Sequence, residues 1–302
     1  MDRNIVIRAR GLKKFFGPVT AVDGIEFEVY EGECFAMLGP NGAGKTSTMR
    51  MLYDFSPRDG GELEVFGLDP AREGERLRQV IGVVPQSDNL DLELTVRENL
   101  EVYGSYYGLR GDRLKRKVDK LLELMSLTGK ADSGIRQLSE GMKRRLTILR
   151  ALVQEPRLVI LDEPTTGLDP QARHHIWAFL RQLKAGGTTL IFTTHYMDEA
   201  ERLCNRLVIM DKGKIIEEGS PQELIKNNLP RLVLEIDQRD LVDGWQDMAL
   251  NFEFYGDQVF FMADSEQEFS TIPFLSDKGR KILRPANLED FFLKLTGRSL
   301  HE

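Results

Sequence analysis

Cysteine is scarce in this chain, long apolar runs are missing, and there is no surplus of basic charge; each shortage removes a class of protein. The two cysteines among 302 residues, Cys34 and Cys204, stand apart in sequence, with no C-x-x-C pair and no zinc spacing. They read as reduced thiols in or near a cytosolic core rather than as a disulfide framework or a metal module. No apolar run approaches the roughly 18 residues that a membrane helix needs. The longest candidates, 34–38 and 259–263, are strand-sized. The opening residues Met1, Asp2, Arg3 and Asn4 lack the apolar stretch of a secretory signal, so the expected compartment is the cytoplasm. Net charge is −7, and residues 229–302 carry most of it, with 8 Lys and Arg against 14 Asp and Glu. A near-neutral main part and an acidic tail part predict no nucleic-acid partner, because phosphate binding needs a basic surface.

The apolar pattern supplies the fold class. Strand-like alternation at Ile5 and Ile7, then at Ile25, Phe27 and Val29, is followed by a fully apolar strand over 34–38 and a helix over 45–53. Further strands are predicted at 60–66, 80–84, 158–161, 188–193 and 207–210. Between them, Leu114, Val118, Leu121, Leu122 and Met125 share one face of a helix over 112–127. Ile176, Phe179, Leu180 and Leu183 do the same for a helix over 170–184. Strands alternating with helices predict an α/β fold with a mainly parallel, doubly wound sheet. The pattern breaks near Asn227–Pro230, and a second set of short strands follows at 232–236, 252–255 and 259–262. The expected domains are therefore 1–228 and a small α+β domain over 229–302.

Gly39, Pro40, Asn41, Gly42, Ala43, Gly44, Lys45 and Thr46 fit the phosphate-binding pattern G-x-x-x-x-G-K-[ST], in the required place between a strand and a helix. Glycines let the backbone approach phosphate oxygens, and successive N–H groups with the helix dipole form an anion cradle. Lys45 adds a full charge toward the outer phosphates, and Thr46 offers a hydroxyl to Mg²⁺. Downstream, an apolar strand ends in Asp162 and Glu163, which places two carboxylates at the ligand edge of an open sheet. Asp162 suits Mg²⁺ and Glu163 suits a general base for water. Gln86 ends another strand and His195 a third; either alone reads as structural, as does a helix-capping Ser139.

Order and spacing together carry more than any one of these. Residues 1–228 resemble the ATP-binding cassette (ABC) ATPases, P-loop NTPases with an antiparallel β subdomain and a helical subdomain, here about 87–155. The resemblance identifies Gly39 to Thr46 as Walker A, with Ser47 added to the nucleotide contacts, and 158–163 as Walker B. It makes Gln86 the Q-loop, Asp169 the D-loop and His195 the switch histidine. Phe16, rather than Phe15, matches the aromatic that stacks on adenine. Ser139, Glu140, Gly141 and Met142 match the signature, which in this family contacts ATP bound by the second subunit. The implied catalytic set is Glu163, His195, Lys45 and Gln86; the implied metal set is Thr46, Gln86 and Asp162; the cofactors are ATP and Mg²⁺. The implied assembly is a homodimer with two ATP molecules sandwiched at its interface.

Two positions depart from the family signature: Glu140 stands where Gly is usual, and Met142 where Gln is usual. A carboxylate beside a triphosphate is repelled unless it turns outward, which is the orientation expected for Glu140. Residues 139–146 and 162–170, with the closing segment 287–297, are similar to the drug-resistance and nodulation-factor export branch. That implies a separately encoded integral-membrane permease of the ABC-2 type, docked near residues 86–107, with the chain peripheral on the inner face of the membrane. Two other readings are a non-transport cassette acting on ribosomes or DNA, and a degenerate nucleotide sensor. The first usually carries two cassettes, coiled coils or C-x-x-C pairs, and the second usually loses Glu163 or His195. The cargo is not legible, since selectivity resides in the permease.

Overall fold

The protein is described by a computed structural model covering residues 4–242, 245, 250–272 and 281–297; the N-terminal positions 1–3 lie outside the described residues. The chain divides between Glu218 and Gly219 into two compact units.

The first unit opens with β1 (Ile5–Phe16) and β2 (Val19–Tyr30), then β3 (Cys34–Leu38), α1 (Lys45–Leu52), β4 (Gly60–Val65), α2 (Pro70–Arg78) and β5 (Ile81–Val84). Three helices follow: α3 (Val96–Tyr106), α4 (Gly111–Leu124) and α5 (Glu140–Leu152). The unit closes with β6 (Leu158–Asp162), α6 (Pro170–Ala185), β7 (Thr189–Thr194), α7 (Met197–Leu203), β8 (Arg206–Asp211) and β9 (Lys214–Gly219). β1, β2 and β4 form an antiparallel sheet in the order β2-β1-β4, and the rest form a six-stranded sheet in the order β5-β6-β7-β3-β8-β9. β3, β6 and β7 are buried at every position. Strands covered on both faces belong to a parallel sheet, and the pairings of β5, β6, β7, β3 and β8 are parallel. The main core lies where Met49, Met51 and Leu52 of α1 meet Phe35 and Met37 of β3 and the inner faces of β1 and β2.

Register decides which residues meet at the sheet's C-terminal edge. Val84 lies beside Leu161, Asp162 beside Thr193, and Thr194 beside Leu38. The residues just past those ends are Gln86, Glu163, His195 and Gly39. One edge thus collects segments that are far apart in the chain.

The α4 stripe is buried as its spacing predicts, but the helix stops at Leu124 instead of running to 127. Ser126 there takes a left-handed backbone conformation, φ 55°, which ends the α-helical run. The two cysteines are less isolated than their sequence positions imply. Asn205, next to Cys204, donates its N–H to the Cys34 carbonyl at 2.8 Å and accepts the Cys34 N–H on its side chain at 2.9 Å. Burial and the adjacent Cys34 push the Cys204 thiol well up.

The second unit begins with α8 (Pro221–Asn228), ahead of the pattern break at Asn227–Pro230. It continues with β10 (Leu232–Asp237), β11 (Asn251–Tyr255), β12 (Gln258–Ala263), β13 (Lys281–Pro285) and α9 (Leu288–Thr296). Lys294 of α9 donates to the Asn228 carbonyl at 2.8 Å, which ties α8 to this unit. The four strands pair antiparallel in the order β11-β12-β10-β13, and Trp245, Phe261 and Phe269 centre a small core. Leu288, Phe291 and Phe292 of α9 are buried within the single chain, while Leu295 near its end is exposed. The buried Asp290 accepts both guanidinium nitrogens of Arg284 at 2.7 Å and also caps its helix at Asn287.

Candidate functional site

The loop between β3 and α1 is built on two glycines that nothing else could replace. A Cβ at Gly39 would stand 2.2 Å from the Met210 carbonyl oxygen, and one at Gly44 would stand 2.4 Å from that of Ala21. Both have positive φ, so a side chain meets strain as well as collision. Asn41 and Gly42 form the exposed tip, with Pro40 half-buried before them and Ala43 buried behind. Lys45 opens α1 and is buried, its ammonium donating to the carbonyls of Gly39 and Pro40 at 2.7 and 2.9 Å. Burial pulls its pKa down, while the carboxylates of Glu163 and Asp162 pull it back up. A buried ammonium at a helix N-terminus suits an anion, with the two carboxylates it faces offsetting part of its charge.

Asp162 and Glu163 leave β6 in different directions. The Oδ1 of Asp162 accepts the hydroxyls of Thr46 at 3.0 Å and Thr193 at 2.6 Å. Glu163 has φ 45°, a left-handed conformation uncommon for a residue with a side chain. Strain of that kind persists only where neighbours enforce it, and here its N–H is held by the Thr193 hydroxyl at 2.9 Å. The turn aims the Glu163 carboxylate at three groups. Its Oε2 accepts Gln86 Nε2 at 3.3 Å and the Thr166 hydroxyl at 3.0 Å, and lies 3.6 Å from His195 Nδ1. His195 is the main influence holding this carboxyl below its ordinary pKa, against the opposing effect of burial. It is therefore an ionised, partly dehydrated carboxylate at neutral pH, the state a base requires.

The remaining sequence candidates occupy two helix N-termini and one strand end. Ser139 caps α5, its hydroxyl accepting the Met142 N–H at 3.3 Å, and Asp169 caps α6 by accepting from Ala172 at 2.9 Å. Gly141 lies where a Cβ would come within 2.9 Å of Ala172. Glu140 points outward: its side chain is 71% exposed and pairs with Lys143 at 2.7 Å. Ser47 is half-buried in the first turn of α1. Phe16 ends β1 at 51% exposure, with the Lys14 ammonium 5.2 Å from its ring centre. Lys45, Thr46, Gln86, Asp162, Glu163 and His195 thus form one connected cluster. Among the described residues, Ser139 to Met142, Asp169 and Phe16 make no hydrogen bond to it.

Three buried residues support this cluster without having stood out in the sequence. Thr193 holds both carboxylate residues through one hydroxyl. Glu199 on α7 is fully buried and accepts Thr165 Oγ1 at 2.9 Å and Trp177 Nε1 at 2.8 Å, and burial pushes its carboxyl up. Arg144 on α5 is buried against the ends of β5 and β6, donating to the carbonyls of Pro85, Asp162, Glu163 and Pro164 at 2.6 to 3.0 Å. A charged residue on a helix normally reads as a solvated face. Nothing in the sequence separates it from its neighbours Lys143 and Arg145, which are not buried.

The ABC transporter family profile matches residues 22–166, and the profile of the C-terminal domain of the nodulation factor export protein NodI matches residues 236–297. The Nod factor export ATP-binding protein I of Cupriavidus metallidurans is 44% identical over 98% of this chain and 99% of its own length. That of Paraburkholderia xenovorans is 47% identical over 96% and 97%. Among solved structures, cbiO1 from Clostridium perfringens, part of the ABC transporter complex cbiONQ, is similar with a TM-score of 0.67 and 29% identity, covering 73% of this chain and 90% of that one. A dimeric ATP-binding cassette in a post-hydrolysis state bound to ADP and Pi is similar with a TM-score of 0.65 and 25% identity, covering 71% and 98%.

Proposed function

The chain belongs to the ABC transporter family as an ATP-binding, ATP-hydrolysing subunit, and from that premise we propose how its residues divide the work. Lys45 and the N–H groups from Gly39 to Ser47 bind the phosphates, and Phe16 stacks on the base. Glu163 takes a proton from the attacking water, Gln86 and His195 orient that water and the outer phosphate, and Asp169 and the signature residues Ser139 to Met142 serve the second subunit of a homodimer. The carrying observation is the single carboxylate oxygen of Glu163 that meets Gln86, Thr166 and His195 while Lys45 lies across the same edge.

Mg²⁺ fits the site. Thr46 Oγ1 and Asp162 Oδ1 are 3.0 Å apart, about the spacing of neighbouring ligands on an octahedral ion with bonds of about 2.1 Å. Gln86 would complete the protein's donors through its amide oxygen, and the ion would neutralise charge at the phosphate oxygens. Asp162 is kept in place for this by Thr193, and Glu163 stays free of it because the β6 turn sends its side chain the other way.

The chain works in the cytoplasm, docked to a separate ABC-2 type permease at the membrane's inner face, and powers export. No helix among the described residues is long and apolar enough to cross a membrane. The segment after Gln86 supplies a docking surface: Leu92 is 51%, Val102 39% and Tyr106 75% exposed. Relatives along the whole chain are named for Nod factor export, and a cargo of that kind is the reading their similarity supports. Tyr106→Asp tests the docking. The purified variant should keep its ATPase rate, and its co-purification with the permease should fall at least tenfold. Undiminished co-purification contradicts the assigned surface.

A further inference from the structure

The signature helix α5 reaches the catalytic edge of its own subunit through one face. Arg144, Thr147 and Arg150 recur every three residues, so they project on the same side. All three guanidinium nitrogens of Arg144 are engaged by backbone: Nε by Pro164 O at 2.7 Å, Nη1 by Pro85 O at 2.6 Å and Gln86 O at 3.3 Å, and Nη2 by Asp162 O at 2.9 Å and Glu163 O at 3.0 Å. Thr147 donates to Asp88 Oδ1 at 2.9 Å, and Arg150 to Asn89 O at 2.6 Å. The carboxylate of Asp88 also lies 3.5 Å from Arg144. Arg144 is buried, so none of these bonds competes with water.

We propose that Arg144 is a positioning residue that locks the backbone aiming Gln86 and Glu163 to the signature helix, so that the placement of α5 sets the aim of the hydrolytic carboxylate in the same subunit. The planar fork is what makes this possible. Two strand ends, at Pro85–Gln86 and at Asp162–Pro164, converge on one rigid group, and a lysine with three donors on a single nitrogen cannot satisfy both. The left-handed turn at Glu163 is under strain, so its carbonyl needs an anchor on this side as its N–H needs Thr193 on the other. The inference rests on Glu163 being the base, and its test separates the two ideas.

Arg144→Lys in the full chain should lower kcat for ATP by about 10- to 100-fold, because small misplacements of a base cost that much. ATP affinity should stay within threefold, since the phosphate loop is untouched. In a Glu163→Gln background the same substitution should lower the residual single-turnover rate by a clearly smaller factor, because of the two groups it positions only Gln86 is left to misplace. A kcat within threefold of wild type overturns the proposal. So does an equal loss in both backgrounds, or a matching loss of ATP affinity, either of which marks a general structural defect. Thr147→Val removes a weaker contact of the same face and guards against misfolding of the first variant; it should lower kcat by about threefold or more with affinity unchanged. A kcat unchanged in Thr147→Val, if Arg144→Lys does not fold, also overturns it. Normal turnover in Glu163→Gln alone would refute the base and leave the five carbonyl bonds unexplained.

Discussion

Replacing Thr193 by valine removes a hydroxyl and keeps the shape. That hydroxyl donates to Asp162 Oδ1 at 2.6 Å and accepts the Glu163 N–H at 2.9 Å, and the residue is fully buried. Valine fills the same volume, so no cavity opens and the cost is polar. Losing a hydrogen bond to an ionised group costs about 1.5 to 3 kcal/mol, and a buried N–H left without a partner costs about 1 to 3. Asp162 keeps its bond from Thr46, which places the expected total near the lower middle, about 3 to 4 kcal/mol. With a urea slope of about 2 to 3 kcal/mol per molar, the unfolding midpoint should fall by about 1 to 2 M. Turnover should fall too, because the Glu163 turn loses the anchor of its N–H. Thr193→Ser keeps the hydroxyl and should shift the midpoint far less. A Thr193→Val midpoint within about 0.3 M of wild type, with unchanged slope and turnover, would refute the claim that one hydroxyl positions both acids.

Other perturbations act on separate parts of the site. Lys45→Ala deletes the buried charge of the phosphate loop and should weaken ATP binding at least tenfold, measured by fluorescent-nucleotide titration; unchanged affinity would contradict the loop's role. The Glu163 carboxyl is held below its ordinary value of 4.5, mainly by His195. Its ionised, working form therefore persists below 4.5, while the stability that the pairing contributes is complete above 4.5 and is lost progressively as pH falls from there through the lowered value. His195→Ala should move the acid limb of the pH–rate profile upward, and a limb that stays put would disconnect the two residues. A chain ending at Glu218 retains every cluster residue and should bind ATP within threefold of the full chain; a folded truncation that fails to bind would refute the division into units.

The sheet was legible because β3, β6 and β7 are apolar runs whose length suits a strand, and because the phosphate loop and the acid pair fall at strand ends. Register turned those ends into one site, and register is a long-range property that no single segment carries. Glu140 is mostly exposed and pairs with Lys143, the outward orientation that the electrostatic argument expects. Arg144 was not legible: its charge suggests solvent, while its burial depends on five carbonyls supplied by two distant strands. Asn205 likewise brings Cys34 and Cys204 together through bonds no spacing rule anticipates. The second unit starts at Gly219, ahead of α8, whereas the sequence pattern breaks only after that helix, because the bond from α9 to the end of α8 is invisible from the amphipathic pattern of α8 itself.

Gln86, Thr166 and His195 converge on the carboxylate of Glu163, the proposed base of the ATPase. The most direct measurement is the Mg²⁺-dependent ATP turnover of the purified chain beside that of Glu163→Gln, with ATP binding measured on both. The wild type should hydrolyse ATP, and the variant should bind ATP as tightly while losing about 100-fold or more in rate, because an amide cannot accept the water's proton. Turnover of Glu163→Gln within twofold of wild type would contradict the assignment.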